Sequence, residues 1–314
     1  MRGVLGPYTW CAAKSLLTSW RSLPTVCRPE RSWHSPCCDA ATVLIACRYL
    51  LYTPNSILIK TTQPRPIWFN FHGNPDTAEE YWKYTAIQTK AEAEGFFSVY
   101  PQGIDVVNGD ALDGPSWNSE GCCGQPESGA ADDKAFVLAI IREVTAAGCV
   151  DASKIWASGL SAGAYFSGYL ACKAGDVFSA VAIVAGLAGI NVTDPAVCPY
   201  ARAIPVLALH SLGDVQVSYT GGVPGCTARN PTSTACKTQS DELWGIEGLV
   251  AAYAKRQGCQ TAVRQIFANS TAKVGAVVCK AHAGCPAGHS AVSKPRGLAR
   301  LKPGDPPAHP WKAA

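Results

Sequence analysis

A serine between two glycines stands near the centre of the chain. Residues 159–163 read Gly-Leu-Ser-Ala-Gly, after a strand-like stretch at 154–158 and before a helix-like stretch at 165–171. The glycines allow a sharp turn from strand into helix, which exposes the serine hydroxyl at the helix N-terminus, where the helix dipole favours negative charge. The pentapeptide is common in a chain with 29 glycines, so the flanking elements carry the interpretation. We predict that Ser161 is a nucleophile.

A serine nucleophile needs a base to take its proton and a carboxylate to orient that base. In chains built around this turn, the acid and then the histidine follow the serine. Asp214 lies four residues beyond a predicted strand at 205–210 and next to Gly213, so we predict that it is the acid. The alternative is a turn aspartate beside a glycine. Three earlier aspartates are interpreted as helix caps or turn residues: Asp132, Asp133 and Asp151.

The oxyanion of acyl transfer needs two backbone N–H donors. One belongs to the residue after the nucleophile, Ala162, and the other to the loop after an earlier strand. That loop is His72-Gly73-Asn74. We predict that Asn74 is the second donor, with Gly73 as its neighbour. His72 is interpreted as structural because it precedes the nucleophile.

The composition argues against several classes of function. The net charge is +4, and the sequence has no basic stripe interleaved with aromatic residues, so no nucleic-acid partner is expected. No stretch reaches the ~18 apolar residues of a membrane span. The cysteines and histidines have no zinc-ligand spacing. We expect that the protein binds neither a metal nor a cofactor and that it is a monomer.

Fifteen cysteines indicate an oxidising compartment. Five lie in the first fifty residues, and the remaining ten could close five bridges. Short separations favour the pairs Cys172–Cys198 and Cys226–Cys236. Two glycosylation triplets begin at Asn191 and Asn269. Together these features predict an extracellular protein, although residues 1–40 contain no clear signal peptide.

From residue 42 onward, β-rich runs alternate with amphipathic segments, which predicts an α/β fold. Strands are predicted at 42–52, 66–71, 96–100, 180–184, 205–210, 261–268 and 273–278, helices at 77–94, 132–147 and 241–256, and a long loop at 101–130. We predict one catalytic domain over residues 41–286. A poorly ordered leader (1–40) and a poorly ordered tail (287–314) are expected on either side.

Short blocks of the chain occur in an order that is typical of a known family. They lie at 71–73, 91–92, 95–96, 100–103, 116–118, 122–124, 132–136, 159–163, 170–172, 210, 213–214 and 219. Over about residues 49–285 the chain therefore resembles the secreted esterases that include polyhydroxybutyrate depolymerases and feruloyl or acetylxylan esterases. The resemblance implies an α/β-hydrolase fold with a mostly parallel sheet and helices on both faces. It also implies ester hydrolysis without a cofactor, with Ser161 as nucleophile and Asp214 as triad acid.

The chain departs from the family pattern at the base. Members carry Gly-His-x-Trp-Pro-Gly near the end, and the corresponding register, 299–304, has Arg300 in place of the histidine. A guanidinium stays protonated and cannot act as a general base. His309, nine residues later, keeps a His-x-Trp fragment, and His289 lies eleven residues earlier. We predict His309 as the base.

Three functions remain open at this point. The first is an extracellular ester hydrolase acting on polyhydroxyalkanoate polyesters or on feruloyl or acetyl esters of plant polysaccharide. The second, suggested by Arg300, is a catalytically impaired homologue that binds a polymer or glycan through exposed aromatics such as Trp82 and Trp117. The third is a serine peptidase of the same fold.

Overall fold

A computed structural model of the chain describes residues 32–34, 48–55, 64–106, 113–120, 122, 132–146, 150–199, 204–214, 216–221, 245–269 and 277–286. The strands are β1 Ser32–His34, β2 Tyr49–Tyr52, β3 Arg65–Phe71, β4 Phe97–Pro101, β5 Ile104–Val106, β6 Gly114–Ser116, β7 Val150–Leu160, β8 Ala180–Val184, β9 Val206–Leu209, β10 Val263–Asn269 and β11 Val277–His282. The helices are α1 Ala78–Thr85, α2 Ile87–Glu94, α3 Asp133–Ala146, α4 Ala162–Lys173 and α5 Ile246–Arg256.

Seven strands form one sheet in the order β1-β2-β4-β3-β7-β8-β9. Neighbouring strands from β4 to β9 run parallel, whereas β2 is antiparallel to both of its neighbours. Parallel strands end at one edge of a sheet, and ligands of such sheets bind beyond those ends. The segments after β3, β7, β8 and β9 therefore share one edge. This mostly parallel α/β-hydrolase sheet confirms the predicted fold class.

The core explains why these segments form a buried sheet. Every second residue in the second half of β3 is apolar and fully buried: Ile67, Phe69 and Phe71. Helix α4 is buried from Ala162 to Cys172, which is the pattern of a helix enclosed on all sides. The site at its N-terminus therefore stands on a rigid support.

Some predicted elements have different bounds. The single helix predicted at 77–94 is two helices, because Ala86 adopts a left-handed conformation with φ 51° between α1 and α2. A capping box of Thr77 and Glu80 starts α1 where predicted. The loop predicted at 101–130 contains the antiparallel pair β5–β6. The last two strands are confirmed with shifted bounds, as a hairpin separate from the main sheet.

The predicted domain limits stay a prediction. Within the predicted leader, residues 32–34 pair with β2 at the edge of the main sheet. The rest of the leader and the whole predicted tail lie outside the described residues, as do 241–244 at the start of the last predicted helix. Across the part of the chain that the structure describes, no helix combines the length and apolar character that a membrane crossing requires.

Two disulfides lie among the described residues. Cys172–Cys198 joins the end of α4 to the segment after β8, as predicted. Cys259–Cys285 joins the segment after α5 to the segment after β11. Cys279 carries a free thiol, so the pairing of all ten later cysteines into five bridges is wrong; Cys279 stays unpaired on the hairpin. The predicted pair Cys226–Cys236 lies outside the described residues.

Candidate active site

Ser161 occupies the turn between β7 and α4 with φ 52° and ψ −116°. Positive φ is uncommon for a residue with a side chain and persists only where the surroundings impose it. Here the surroundings are two close approaches. A methyl group on Gly159 would overlap the carbonyl of Gly163, and one on Gly163 would overlap the carbonyl of Phe71. The strand, sharp turn and helix expected around Ser161 are therefore present.

Backbone hydrogen bonds hold Ser161 from two sides. Its N–H donates to the Val184 carbonyl at 2.9 Å, and its own carbonyl accepts from the N–H groups of Ala164 and Tyr165 at 2.9 and 3.1 Å. The side chain makes no capping hydrogen bond to the helix. Because the backbone is fixed while the hydroxyl takes no part in capping, the half-buried Ser161 side chain can be used for chemistry.

Ala162 is the first residue of α4 and is buried. The first N–H groups of a helix have no acceptor within it, and the helix dipole adds a partial positive charge there. Ala162 directly follows Ser161, and its N–H as the first oxyanion donor stays a prediction.

The loop after β3 lies against the serine. A methyl group on Gly73 would stand 3.5 Å from Ser161 Cβ and 3.4 Å from the Leu160 carbonyl oxygen. The next residue, Asn74, donates through its side-chain amide to the Pro115 carbonyl at 3.2 Å, and a cis peptide joins it to Pro75. The structure thus brings the predicted oxyanion loop to Ser161, and the Asn74 N–H as second donor stays a prediction.

The His72 side chain stabilises this loop through two hydrogen bonds. Its Nε2 accepts the Gly103 N–H at 2.9 Å, so the proton is on Nδ1, which donates to the Gly73 carbonyl at 2.8 Å. The side chain is fully buried. Burial lowers the pKa of His72 to about 4, partly offset by the bond to Gly73. His72 is therefore neutral at neutral pH, and its interpretation as a structural histidine is confirmed.

Trp117 ties a second segment to the same loop. Its indole N–H donates to the His72 carbonyl at 2.9 Å, and its ring stacks on Phe166 with centroids 5.2 Å apart. The side chain is 1 % exposed, and that of Trp82 is 8 % exposed. The interpretation of these two residues as exposed binding aromatics is therefore wrong, because both rings are used for packing.

Asp214 follows β9 at the same edge of the sheet as Ser161. Its Oδ1 accepts the N–H groups of Gln216 and Val217, both at 2.9 Å, as in a turn. Its Oδ2 lies 3.4 Å from His210 Nε2, and 17 % of the side chain is exposed. The carboxylate is thus held rigidly and remains partly open to solvent.

His210 is a residue of this loop to which the sequence reasoning assigned no role. Its Nε2 donates to the Val217 carbonyl at 2.6 Å, and its side chain is fully buried. Its Nδ1 is buried with no hydrogen-bond partner in the described part of the chain. The His-x-x-x-Asp spacing in the family pattern was the available signal. His210 braces the loop that carries Asp214.

The three earlier aspartates differ in role. Asp132 caps α3 by accepting the Ala135 N–H at 2.8 Å, as predicted. Asp151 lies in β7, where it accepts the Ser153 N–H at 3.0 Å, so its interpretation as a cap or turn residue is wrong. Asp133 does more than cap a helix. It is buried, and its carboxylate accepts the Asn118 N–H at 2.7 Å. Burial raises the pKa of Asp133 to about 7, partly offset by that hydrogen bond. The hydrogen bond from Asn118 to Asp133 fixes the segment that carries Trp117.

The candidate bases His309 and His289 lie outside the described residues, as does Arg300. The described ranges also contain no group of three or more His, Cys, Asp or Glu side chains that could hold a metal ion.

A family model described as esterase PHB depolymerase matches residues 47–224. The chain belongs to this esterase family. Feruloyl esterase B of Piromyces equi is 27% identical over 194 residues, which are 62% of this chain and 33% of that protein. The probable feruloyl esterase C of Aspergillus clavatus is 37% identical over 92 residues, 29% of this chain and 32% of that protein. The chain thus spans about a third of the length of these two relatives of the esterase family.

Among solved structures, an acetyl xylan esterase from Aspergillus awamori is similar with a TM-score of 0.36 and 20% identity. The match covers 46% of this chain and 48% of that one.

Proposed function

We propose that this chain is an extracellular serine-type carboxylic ester hydrolase. Ser161 attacks the ester carbonyl, a histidine takes its proton and passes it to the leaving alcohol, and Asp214 orients that histidine. The N–H groups of Ala162 and Asn74 stabilise the oxyanion. Water then cleaves the acyl-enzyme. The observation that carries the proposal is the imposed positive φ of Ser161 at the N-terminus of α4, with the Gly73 loop against it.

The proposed base is His309, because it keeps the His-x-Trp fragment of the family pattern; His289 is the alternative. The proposed substrates are feruloyl or acetyl esters of plant polysaccharide, or polyhydroxyalkanoate polyesters. Family membership and the names of the two feruloyl esterase relatives support this range. The two disulfides support the extracellular site of action.

Hydrolysis of p-nitrophenyl acetate by the full chain tests the proposal. We expect Ser161→Ala to lower kcat by at least about 10³-fold, because removal of a triad nucleophile leaves only oxyanion stabilisation and binding. Ser153→Ala is the matched control, since Ser153 is exposed at the opposite end of β7. Equal rates for the chain and Ser161→Ala would contradict the proposal. His309→Ala and His289→Ala are measured in parallel. The base is the histidine whose substitution lowers kcat as much as Ser161→Ala does.

Arg300 favours one other candidate function, a binding homologue without turnover. In that case the chain is inactive, and Arg300→His restores hydrolysis by returning a base to the family position. Turnover in the unaltered chain that disappears in Ser161→Ala excludes this second function.

A further inference from the structure

A carboxylate with no role in the proposed mechanism lies beside the nucleophile. Asp76 Oδ2 and Ser161 Cβ stand 3.7 and 3.5 Å from the position that a methyl group on Gly73 would occupy. Both groups therefore border the same small space next to Gly73. Asp76 is only partly buried, so part of the residue is exposed to solvent.

Tyr84 holds this carboxylate in place. The phenol on the last turn of α1 donates to Asp76 Oδ2 at 2.6 Å. Its ring packs edge-on against Tyr81, with centroids 5.3 Å apart, and Tyr81 is itself buried. Partial burial, the hydrogen bond from Tyr84 to Asp76 and the charge of Asp76 raise the pKa of Tyr84 well above its ordinary value. The phenol therefore stays a donor, and Asp76 is positioned as an acceptor.

The fold makes little other use of Asp76. The cap of α1 is Thr77, which bonds reciprocally with Glu80. Among the described residues, Tyr84 is the hydrogen-bond partner of the Asp76 side chain. An ionised carboxylate offers about four lone-pair sites, so Asp76 keeps acceptor capacity toward the space beside Ser161. Tyr84 is 45% exposed and adds an aromatic surface on which a planar or sugar ring can pack.

We propose that Asp76, held by Tyr84, is a specificity-determining residue that accepts a hydrogen bond from a hydroxyl group of the ester substrate. The inference rests on the proposed function, since it takes Ser161 as the nucleophile. A fixed carboxylate favours uncharged esters that carry a hydroxyl group. It disfavours esters that carry a second, negatively charged group, because like charges repel. The hydroxyl has two possible sources, a phenol on the acyl group or a sugar hydroxyl on the alcohol.

Matched substrate pairs test the proposal and separate the two sources. The first pair is methyl ferulate and methyl 3,4-dimethoxycinnamate, which differ in the phenolic hydroxyl. The second pair is a mono-acetylated xylobiose and its O-methylated derivative. We expect the chain to prefer the hydroxyl-bearing member of one pair by about 10-fold in kcat/KM, the contribution of a hydrogen bond to a charged group. The pair that is discriminated identifies the source of the hydroxyl.

Asp76→Leu removes the acceptor, and we expect the preference to fall to within about twofold of unity, mainly through a higher KM for the hydroxyl-bearing substrate. Asp76→Asn keeps a neutral acceptor, so its preference should lie between those of the unaltered chain and Asp76→Leu. This variant also tests the proposal if Asp76→Leu does not fold. Glu79→Gln removes a charge from the first turn of α1, away from the Asp76–Tyr84 contact, and should keep the full preference. A chain that discriminates neither pair, or Asp76 variants that keep the preference, would overturn the proposal.

A failure of the proposed function gives a different pattern. If the chain hydrolyses no ester, including p-nitrophenyl acetate, titration calorimetry replaces kinetics, with both pairs added to Ser161→Ala. Tighter binding of one hydroxyl-bearing member, lost on adding Asp76→Leu, supports the role of Asp76 without hydrolysis. Equal binding within both pairs, or no binding of any member, overturns that role.

Discussion

At the residue scale, the surroundings of Ser161 impose an unfavourable backbone conformation, whereas those of His72 set its protonation state. The positive φ of Ser161 costs on the order of 1–3 kcal/mol, and the close approach of β3 and α4 imposes it. His72 gains its role from burial, which keeps the imidazole neutral so that Nε2 can accept the Gly103 N–H. A protonated His72 loses that acceptor, and the loop beside Ser161 loses a support.

The stability of the chain should therefore carry a pH dependence from His72. Its pKa is lowered from 6.5 to about 4 in the folded protein, so between these values the unfolded chain binds the extra proton. The contribution of His72 to stability is fully present above pH 6.5 and decreases as the pH falls toward 4, by up to about 1.4 kcal/mol per pH unit. Denaturant unfolding between pH 4 and 7 should show this loss for the chain relative to His72→Gln, which keeps an acceptor without titrating.

Asp133 provides a control of opposite sign. Its pKa is raised from 3.8 to about 7, so the folded protein binds the extra proton and the stability contribution decreases as the pH rises from 3.8 to 7. Relative to Asp133→Asn, the chain should gain stability as the pH falls. If the two difference curves have the same sign, the electrostatic account of both residues is wrong.

At the scale of elements, the site depends on how closely α4 approaches the end of β3. A methyl group on Gly163 would overlap the carbonyl of Phe71 and come within 2.6 Å of that of His72. Both carbonyls are backbone groups, one at the end of β3 and one at the start of the oxyanion loop, so neither can move alone. The separation of α4 from β3 therefore sets the position of Ser161 relative to Gly73.

Gly163→Ala should accordingly damage activity as well as stability. We expect a loss of about 1–3 kcal/mol of unfolding free energy from overpacking, and at least about a 10-fold lower kcat/KM on p-nitrophenyl acetate because misplacement of the reacting groups is costly. Gly213→Ala is the control, since among the described residues its methyl group would meet only the Ser211 hydroxyl, at 3.9 Å. Unchanged activity in Gly163→Ala would mean that this approach does not position the serine.

At the scale of the whole molecule, cross-links tie segments after the sheet strands to the helices. Cys172–Cys198 fastens the segment after β8 to α4. Arg256 on α5 donates to the carbonyls of Val192 and Cys198 at 3.1 and 2.8 Å. Two helices therefore hold the same segment, one covalently and one through a guanidinium.

Removal of this cross-link should lower stability while leaving the sheet intact. The bridge closes a separation of 26 residues, for which chain entropy predicts a loss of about 3 kcal/mol in the Cys172→Ala, Cys198→Ala double variant. Thermal unfolding measures the loss, and Cys279→Ser, which removes the half-buried free thiol, should change stability by less than about 1 kcal/mol. A double variant as stable as the control would show that Arg256 alone is sufficient.

The sequence by itself determined the α/β class, the turn at Ser161, the start of a helix at residue 77 and the Cys172–Cys198 pair. These features are encoded locally, by glycine spacing, capping residues, hydrophobic periodicity and short separations along the chain. It did not reveal the break at Ala86, because residues 77–94 have continuous helical character.

Only the tertiary structure decided which polar groups meet. Asp133 meets Asn118, His210 meets Val217, and Asp76 meets Tyr84 through loop conformations and burial that these separations in the chain do not specify. Burial likewise decided that Trp82 and Trp117 pack in the core instead of binding a ligand. The physical reason is that exposure, pKa and contact partners are properties of the assembled layers, which no local pattern specifies.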